Sequence, residues 1–103
     1  AYAGQNKSEL ALDDLNMAVS LNRLSGDIYK RRAELKVATD DVEGALRDYR
    51  SVEKLIPSYK MVHYIKGNLY LELREIEFAC EEFKIALDNK IVVAERKHDE
   101  LCL

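Results

Sequence analysis

The sequence predicts an all-α protein, an α-solenoid of antiparallel helix pairs. Glycine and proline are scarce, at 4 and 1 of 103 residues, and Pro57 falls between two long segments with helical periodicity. The sequence also matches itself at an offset of 34 residues. Small residues and a large apolar or aromatic residue recur in each period at helical spacing, as in Ala79, Phe83 and Ala86.

The 34-residue offset aligns residues of the same size and class along the chain. The aligned sets are Ala11, Ala45 and Ala79; Leu15, Tyr49 and Phe83; Ala18, Val52 and Ala86; Leu12, Leu46 and Cys80; Asp14, Asp48 and Glu82. The preceding segment repeats as well, in the pairs Tyr29 and His63, Arg32 and Lys66, and Ala33 and Gly67. Small residues let two helices approach and an aromatic ring fills the gap beside them. The repeated stripe is therefore predicted to serve packing rather than catalysis.

The length suits one small domain with one core. Its predicted parts are a partial repeat at 1–24, repeats at 25–58 and 59–90, and a capping helix or the start of a further repeat at 91–103. Counting back one period places residues 1–5 at the end of a first helix whose beginning is missing, followed by a second helix at 8–21. With the apolar finish of the chain, this predicts a piece of a longer array.

Short polar segments predict where the helices begin. Ser25 and Ser58 are predicted N-caps of helices that run to about Thr39 and Leu73. The segment DDVE at 40–43 resembles a capping box for the next helix. Turns of a few residues between such helices make the neighbours antiparallel.

The charge balance and the cysteines exclude several classes of protein. With 16 basic and 19 acidic side chains the net charge is -3, which disfavours a nucleic-acid binder. No apolar run approaches the roughly 18 residues of a membrane span. The spacing of Cys80 and Cys102 matches no metal-binding motif and gives no sign of a disulfide scaffold. This favours a reducing compartment and a cytoplasmic location. Cys80, aligned with leucines, is expected to be a small buried hydrophobe.

No arrangement of residues indicates an enzyme, a metal or a cofactor. Neighbouring acids, such as Glu81 and Glu82, diverge by about 100 degrees on a helix, so we expect solvated faces or caps. His63 takes the place of a packing aromatic, and His98 has no ligand partner one turn away. The basic run at 30–32 is too short for a phosphate or nuclear signal, and Arg32 is expected to lie along a helix interface with its guanidinium in water.

The 34-residue period, the segment GNLY at 67–70, the Ala79 and Phe83 spacing and Pro57 together resemble the tetratricopeptide repeat. The first helices depart from that pattern, with Lys66 or Arg32 where a leucine is usual before the glycine and Ala33 for the glycine itself. The resemblance implies a right-handed superhelix whose first helices line a concave surface that binds extended peptides or partner helices. It places these residues on that surface: Asp27, Lys30, Glu34, Val37, Ala38, Met61, Tyr64, Asn68, Leu71 and Glu72.

The resemblance also implies a non-catalytic scaffold or adaptor for a protein or peptide partner. Some members hold the C-terminal acid of a chaperone with a clamp of Lys, Asn and Arg, but that set is incomplete here. Glu34 and Glu72 would repel an anionic end, so a basic or neutral partner is expected. The alternative is an oligomerisation or array-spanning module that pairs through the repeat ends at Ile91, Val92, Leu101 and Leu103, and a homodimer is one such assembly. Single-stranded RNA binding is disfavoured by the acidity and the lack of a base-reading pair.

Overall fold

The computed structural model describes residues 2–102, with side chains from Lys7 to Cys102. These residues form helices and no strand, which confirms the all-α prediction. The helices are α1 (Tyr2–Leu21), α2 (Gly26–Ala38), α3 (Val42–Leu55), α4 (Met61–Glu72), α5 (Ile76–Asp88) and α6 (Ala94–Leu101). They fall into two compact units, the first ending at Ile56 and the second beginning at Pro57.

In the first unit, α2 packs on both α1 and α3. The start of α2 lies at the end of α3, because Gly26 faces the side chains of Leu55 and Ile56. The predicted antiparallel arrangement of this pair is therefore confirmed. The buried apolar side chains described in the unit are the repeated small and aromatic residues and their neighbours: Val19, Ala33, Ala45, Leu46, Tyr49 and Val52.

In the second unit, α5 packs on both α4 and α6. The pair α4 and α5 is also antiparallel, because Tyr70 contacts Phe78 while the earlier Gly67 faces the later Phe83. Phe83 is completely buried, and a Cβ atom added at Gly67 would lie 2.5 Å from Cε1 of its ring. Glycine is required here by the close approach of the ring. The stripe of small residues and an aromatic thus serves packing, as predicted.

The N-terminal helix differs from the prediction. α1 runs without a break from Tyr2 to Leu21, so residues 2–5 do not end a separate helix, and Ala1 lies outside the described residues. The repeat places Asn6 at the position of Asp40, which follows α2, but Asn6 is helical. Ending a helix leaves backbone groups that need new partners. The chain stays helical here, and α1 packs mainly on α2.

Three helices end in the same way, with one residue in the left-handed region. Asp40, Arg74 and Lys90 have φ values of 67, 61 and 65 degrees and follow α2, α4 and α5. After each of them a backbone N–H donates to the carbonyl five residues earlier, as from Asp41 to Lys36 at 2.8 Å. This Schellman arrangement is usually completed by glycine or asparagine. Aspartate, arginine and lysine fill the position here, and α2 and α4 end within one residue of the predicted ends at Thr39 and Leu73.

The helix starts agree only in part with the predicted caps. Ser25 occupies the N-cap of α2, although its side chain makes no capping hydrogen bond. Asp41 caps α3 by accepting a hydrogen bond from the N–H of Gly44 at 3.0 Å, so the cap is one residue later than DDVE suggested. The prediction for Ser58 was wrong, because α4 begins at Met61 with Lys60 as its N-cap.

The two cysteines are joined, which corrects the expectation of separate thiols. Cys80 on α5 and Cys102 at the end of α6 form a disulfide across a sequence separation of 22 residues, with a Cα–Cα distance of 5.6 Å. Spacing along the chain did not reveal the pair because only the packing of α6 on α5 brings the residues together. Cys80 is half-buried rather than a fully buried hydrophobe. The cysteines therefore no longer support a reducing compartment, and the cytoplasmic location stays a prediction.

Candidate partner-binding surface

A buried ion pair joins the first and second helix of each complete repeat. In the first unit, the carboxylate of Asp48 on α3 accepts hydrogen bonds from Nε and Nη2 of Arg32 on α2 at 2.8 and 2.7 Å. Nζ of Lys36 lies 3.1 Å from the same carboxylate. Arg32 also donates from Nη1 to Oδ1 of Asn16 at 3.0 Å, so its guanidinium connects α1, α2 and α3.

The second unit repeats this contact 34 residues later with different side chains. Nζ of Lys66 lies 3.0 Å from Oε2 of Glu82, and Nδ1 of His63 lies 2.8 Å from Oε1 of the same carboxylate. His63 and Lys66 are both buried. The lysine and the glutamate therefore occupy the places of Arg32 and Asp48 in the first unit.

These contacts correct three expectations from the sequence. The guanidinium of Arg32 is turned into the helix interface instead of water, with 17% of the side chain exposed. Glu82 is engaged by two basic groups and is not part of a solvated face, whereas Glu81 is exposed as expected. His63 is buried in the place of a packing aromatic, but its ring contacts a carboxylate. The sequence signal for these ion pairs was the recurrence of a basic and an acidic residue at the 34-residue offset, Arg32 with Lys66 and Asp48 with Glu82.

The ion pairs orient the helices rather than provide reactive groups. The hydrogen bond to Asp48 raises the pKa of the Arg32 guanidinium, although burial opposes this change. Arg32 is therefore charged at every pH below that raised pKa. Each carboxylate is already bound by two basic side chains, so neither is placed to take a proton from a substrate. Their structural effect is to keep Arg32 and Lys66 toward the second helix of the pair.

The predicted surface residues of α2 lie on the opposite side of that helix. Asp27, Lys30, Glu34 and Val37 are spaced by three or four residues and form one row, which we call the α2 row. Asp27, Glu34 and Val37 are exposed, and Lys30 is half-buried. Ala38 extends the row and is also exposed.

The predicted residues of α4 form a second row, the α4 row, which is more apolar and more enclosed. Its members are Met61, Tyr64, Asn68, Leu71 and Glu72, all half-buried except the exposed Glu72. The ring of Tyr64 lies 6.0 Å from that of Phe83, and Leu71 packs against the same core. Within the described chain, neither the Tyr64 hydroxyl nor the Asn68 carboxamide has a hydrogen bond, so both polar groups are available to a ligand.

The residues of the predicted interface at the C-terminal end differ in their exposure. Ile91 packs against the core of the second unit, whereas Val92 is 72% exposed and Leu101 is 38% exposed. Leu103 lies outside the described residues. Val93, which the sequence analysis did not select, is also exposed. Val92 and four charged residues of α6 line an open cavity of about 410 Å³.

The described residues contain neither a cluster of metal-binding side chains nor a helix suited to span a membrane. No group of three or more His, Cys, Asp or Glu side chains converges as a metal ion would require. Among the described helices, none has the length and apolar content needed to cross a bilayer.

The fold and the repeated ion pair define a helical repeat protein, and comparison with solved structures gives its particular type. The first TPR domain of Spaghetti (RPAP3), bound to the HSP90 peptide SRMEEVD, has a TM-score of 0.77 at 18% identity, covering 97% of this chain and 81% of that one. MamA has a TM-score of 0.77 at 21% identity, covering 86% and 52%. A tetratricopeptide repeat protein from Parabacteroides merdae has a TM-score of 0.72 at 28% identity, covering 84% and 34%. The chain therefore has the tetratricopeptide-repeat fold.

Sequence comparisons agree over part of the chain. It is 32% identical over 57 residues to the mitochondrial import receptor subunit TOM70 of Rattus norvegicus and 34% identical over 56 residues to that of Homo sapiens. These matches cover 55% and 54% of this chain but only 9% of either receptor. No protein-family model matches the sequence.

Proposed function

We propose that this chain is a non-catalytic protein-interaction module that binds an extended segment of a partner protein along the α4 row. The observation that carries the proposal is the pair Tyr64 and Asn68. Both are half-buried on the first helix of a repeat, and both have a polar group without a hydrogen bond inside the described chain. A carboxamide can donate to and accept from a peptide backbone, and tyrosine adds a large amphipathic contact.

Each row, taken by itself, carries exposed acidic groups that support a basic or neutral partner. Asp27, Glu34 and Glu72 are exposed carboxylates, whereas Lys30 is the one basic member and is half-buried. An acidic segment would bring like charges together, and a basic segment would be attracted over about 8 Å at physiological salt. The RPAP3 domain binds an acidic peptide, SRMEEVD, and thus differs in ligand charge from what we propose here.

The first test places a photo-crosslinking amino acid at position 64 of the chain in cells of its source. We expect crosslinks to a partner at position 64 and not at position 81, where Glu81 is exposed on the second helix of the same repeat. Equal crosslinking at both positions would contradict binding by the α4 row. Titration with SRMEEVD and with a lysine-rich peptide of the same length then tests the charge. Tighter binding of the acidic peptide would exclude the proposed partner class.

With a crosslinked segment in hand, we expect Asn68→Ala to weaken its binding about tenfold, since the backbone groups that Asn68 contacts lose their partner. Tyr64→Ala is expected to cost about 2 kcal/mol of binding free energy. Calorimetric titration gives both values. Tyr64→Phe keeps the contact with Phe83, so it separates the hydroxyl from the packing of the ring. Asn22→Ala, which removes an exposed carboxamide between α1 and α2, is the matched control and should bind normally.

A second candidate function is self-association through the C-terminal end, with another copy of the chain as the partner. It is favoured by the exposed apolar side chains of Val92, Val93 and Leu101. Light scattering over a range of concentrations should then show a dimer that Val92→Asp abolishes. Val37→Asp, a change at an exposed valine on α2, should leave the dimer intact. A monomer at all concentrations would dispose of this candidate.

A further inference from the structure

We propose that the Cys80–Cys102 disulfide is a reducible latch, and that its cleavage by a dithiol reductant releases helix α6 from α5. The latch lies at the C-terminal end of the second unit, and its function does not require the α2 row or the α4 row to bind a partner. It assigns a thiol–disulfide exchange site to two cysteines whose bond is the one covalent connection between the two helices apart from the chain itself.

Apart from the disulfide, helix α6 is held on α5 by packing, and not by polar side-chain contacts, among the described residues. It has 8 residues, and isolated helices shorter than about 12 residues are marginal in water. Its sequence AERKHDEL is largely charged, and Ala94 is its one buried residue. Arg96 and Glu100 pair with each other at 3.0 Å on the exposed side, so this ion pair stays within the helix. No ion pair or side-chain hydrogen bond is described between α6 and another helix.

The remaining attachments lie at opposite ends of α6. Ala94 and the preceding Ile91 pack against Ala79, Phe83 and Ala86 at the start of the helix. Cys102 is the C-cap residue, and its disulfide fixes the far end to Cys80. Without this bond the last turn of α6 is held by the packing of Cys102 against the core, by the half-buried His98 and by Leu101, which is 38% exposed. The start of α6 can stay packed while its end is released.

Both cysteines are half-buried, so a small thiolate can reach the bond. The thiolate attacks one sulfur, a mixed disulfide forms, and the other cysteine leaves as a thiolate that takes up a proton. The second thiol of the reductant then attacks the mixed disulfide, releasing the remaining cysteine and forming a cyclic disulfide. Two electrons and two protons pass from the dithiol to the protein. A small-molecule disulfide reverses the reaction and restores the latch.

The test compares hydrogen exchange of the whole chain before and after treatment with dithiothreitol. We expect amides of residues 94–102 to exchange at least about tenfold faster after reduction, because the released helix opens more often. Amides of α2 and α3 in the first unit should be unchanged. Cys102→Ser and Cys80→Ser should exchange rapidly in α6 without reductant and should not respond to it.

Three results would overturn the proposal. Equal protection of α6 in the oxidised and reduced chains would mean that packing alone holds the helix. Loss of protection in α2 and α3 as well would mean that the bond supports the whole fold instead of α6. The third result is an intact mass, measured after incubation in oxidised glutathione, that corresponds to free thiols at both cysteines. This mass would show that the disulfide does not form. If either serine variant fails to fold, the reduced wild-type chain still provides the comparison.

Discussion

Replacing Phe83 with alanine is expected to lower the free energy of unfolding of the second unit by about 3–5 kcal/mol. The ring is completely buried among Gly67, Tyr64, Ala79 and Ala86, all of which are themselves buried or half-buried. These neighbours are small or already packed, so they cannot move in to fill the space of the lost ring. Urea unfolding followed by circular dichroism measures the change, and hydrogen exchange identifies the unit affected.

Phe78 provides a matched control on the same helix. Its ring is 51% exposed and contacts Tyr70, so Phe78→Ala should cost less than about 1 kcal/mol. Similar losses for the two substitutions would contradict the packing described here. Gly67→Ala tests the same contact from α4 and should destabilise by about 1–3 kcal/mol through overpacking. Combined with Phe83→Leu, which removes part of the ring that the new methyl group meets, its cost should be smaller than in the wild-type chain.

Replacing Asp48 with alanine is expected to cost about 3 kcal/mol, because it leaves Arg32 and Lys36 partly buried without their carboxylate. Asp48 is 3% exposed, and its two oxygens accept from Arg32 at 2.7 and 2.8 Å. The raised pKa of Arg32 gives the sign of the pH dependence. The stabilisation by this guanidinium is fully present below the ordinary pKa of arginine and is lost as the pH rises from that value through the raised pKa. Alkali milder than the ordinary pKa of arginine should therefore not weaken the contribution of Arg32.

Asp14 is the control, since it occupies the same position of the repeat on α1 but is exposed. Asp14→Ala should change stability by no more than about 0.5 kcal/mol. Added salt should change the stability loss of Asp48→Ala less than that of Asp14→Ala, because a buried ion pair is screened less than an exposed charge. If Asp14→Ala and Asp48→Ala cost the same in urea unfolding, the ion pair does not stabilise the helix pair. The double substitution of Arg32 and Asp48 by leucine should restore much of the loss.

The repeat was predicted well because its signal is local and occurs more than once. The spacing of Ala79, Phe83 and Ala86 and its copies at earlier positions predicted helices, antiparallel pairing and a packed stripe, and these are what the structure has. The residues of the α2 row and the α4 row were chosen from the resemblance to the tetratricopeptide repeat, and helical spacing places Tyr64 and Asn68 on one face of α4. Their assignment to a partner stays a prediction.

The predictions that were wrong depended on contacts between residues far apart in the chain. Arg32 was expected in water because a long basic side chain usually keeps its charge solvated, but Asp48 replaces that water in the folded unit. His63 was interpreted by its size, whereas its partner Glu82 lies 19 residues later on another helix. By contrast, the helix ends near Thr39 and Leu73 were predicted to within one residue, although the left-handed residues that follow, Asp40 and Arg74, are not glycine.

The sequence by itself determined the class of fold, the 34-residue period and the residues that pack between paired helices, because helical periodicity is written in the order of apolar and small side chains. Only the tertiary structure decided which charges are paired, that α1 continues through Asn6 and that Cys80 meets Cys102. The ion pairs and the disulfide depend on distances between separate helices. A pairwise contact of this kind has no signature in spacing along one chain, and it exists only after the helices have packed.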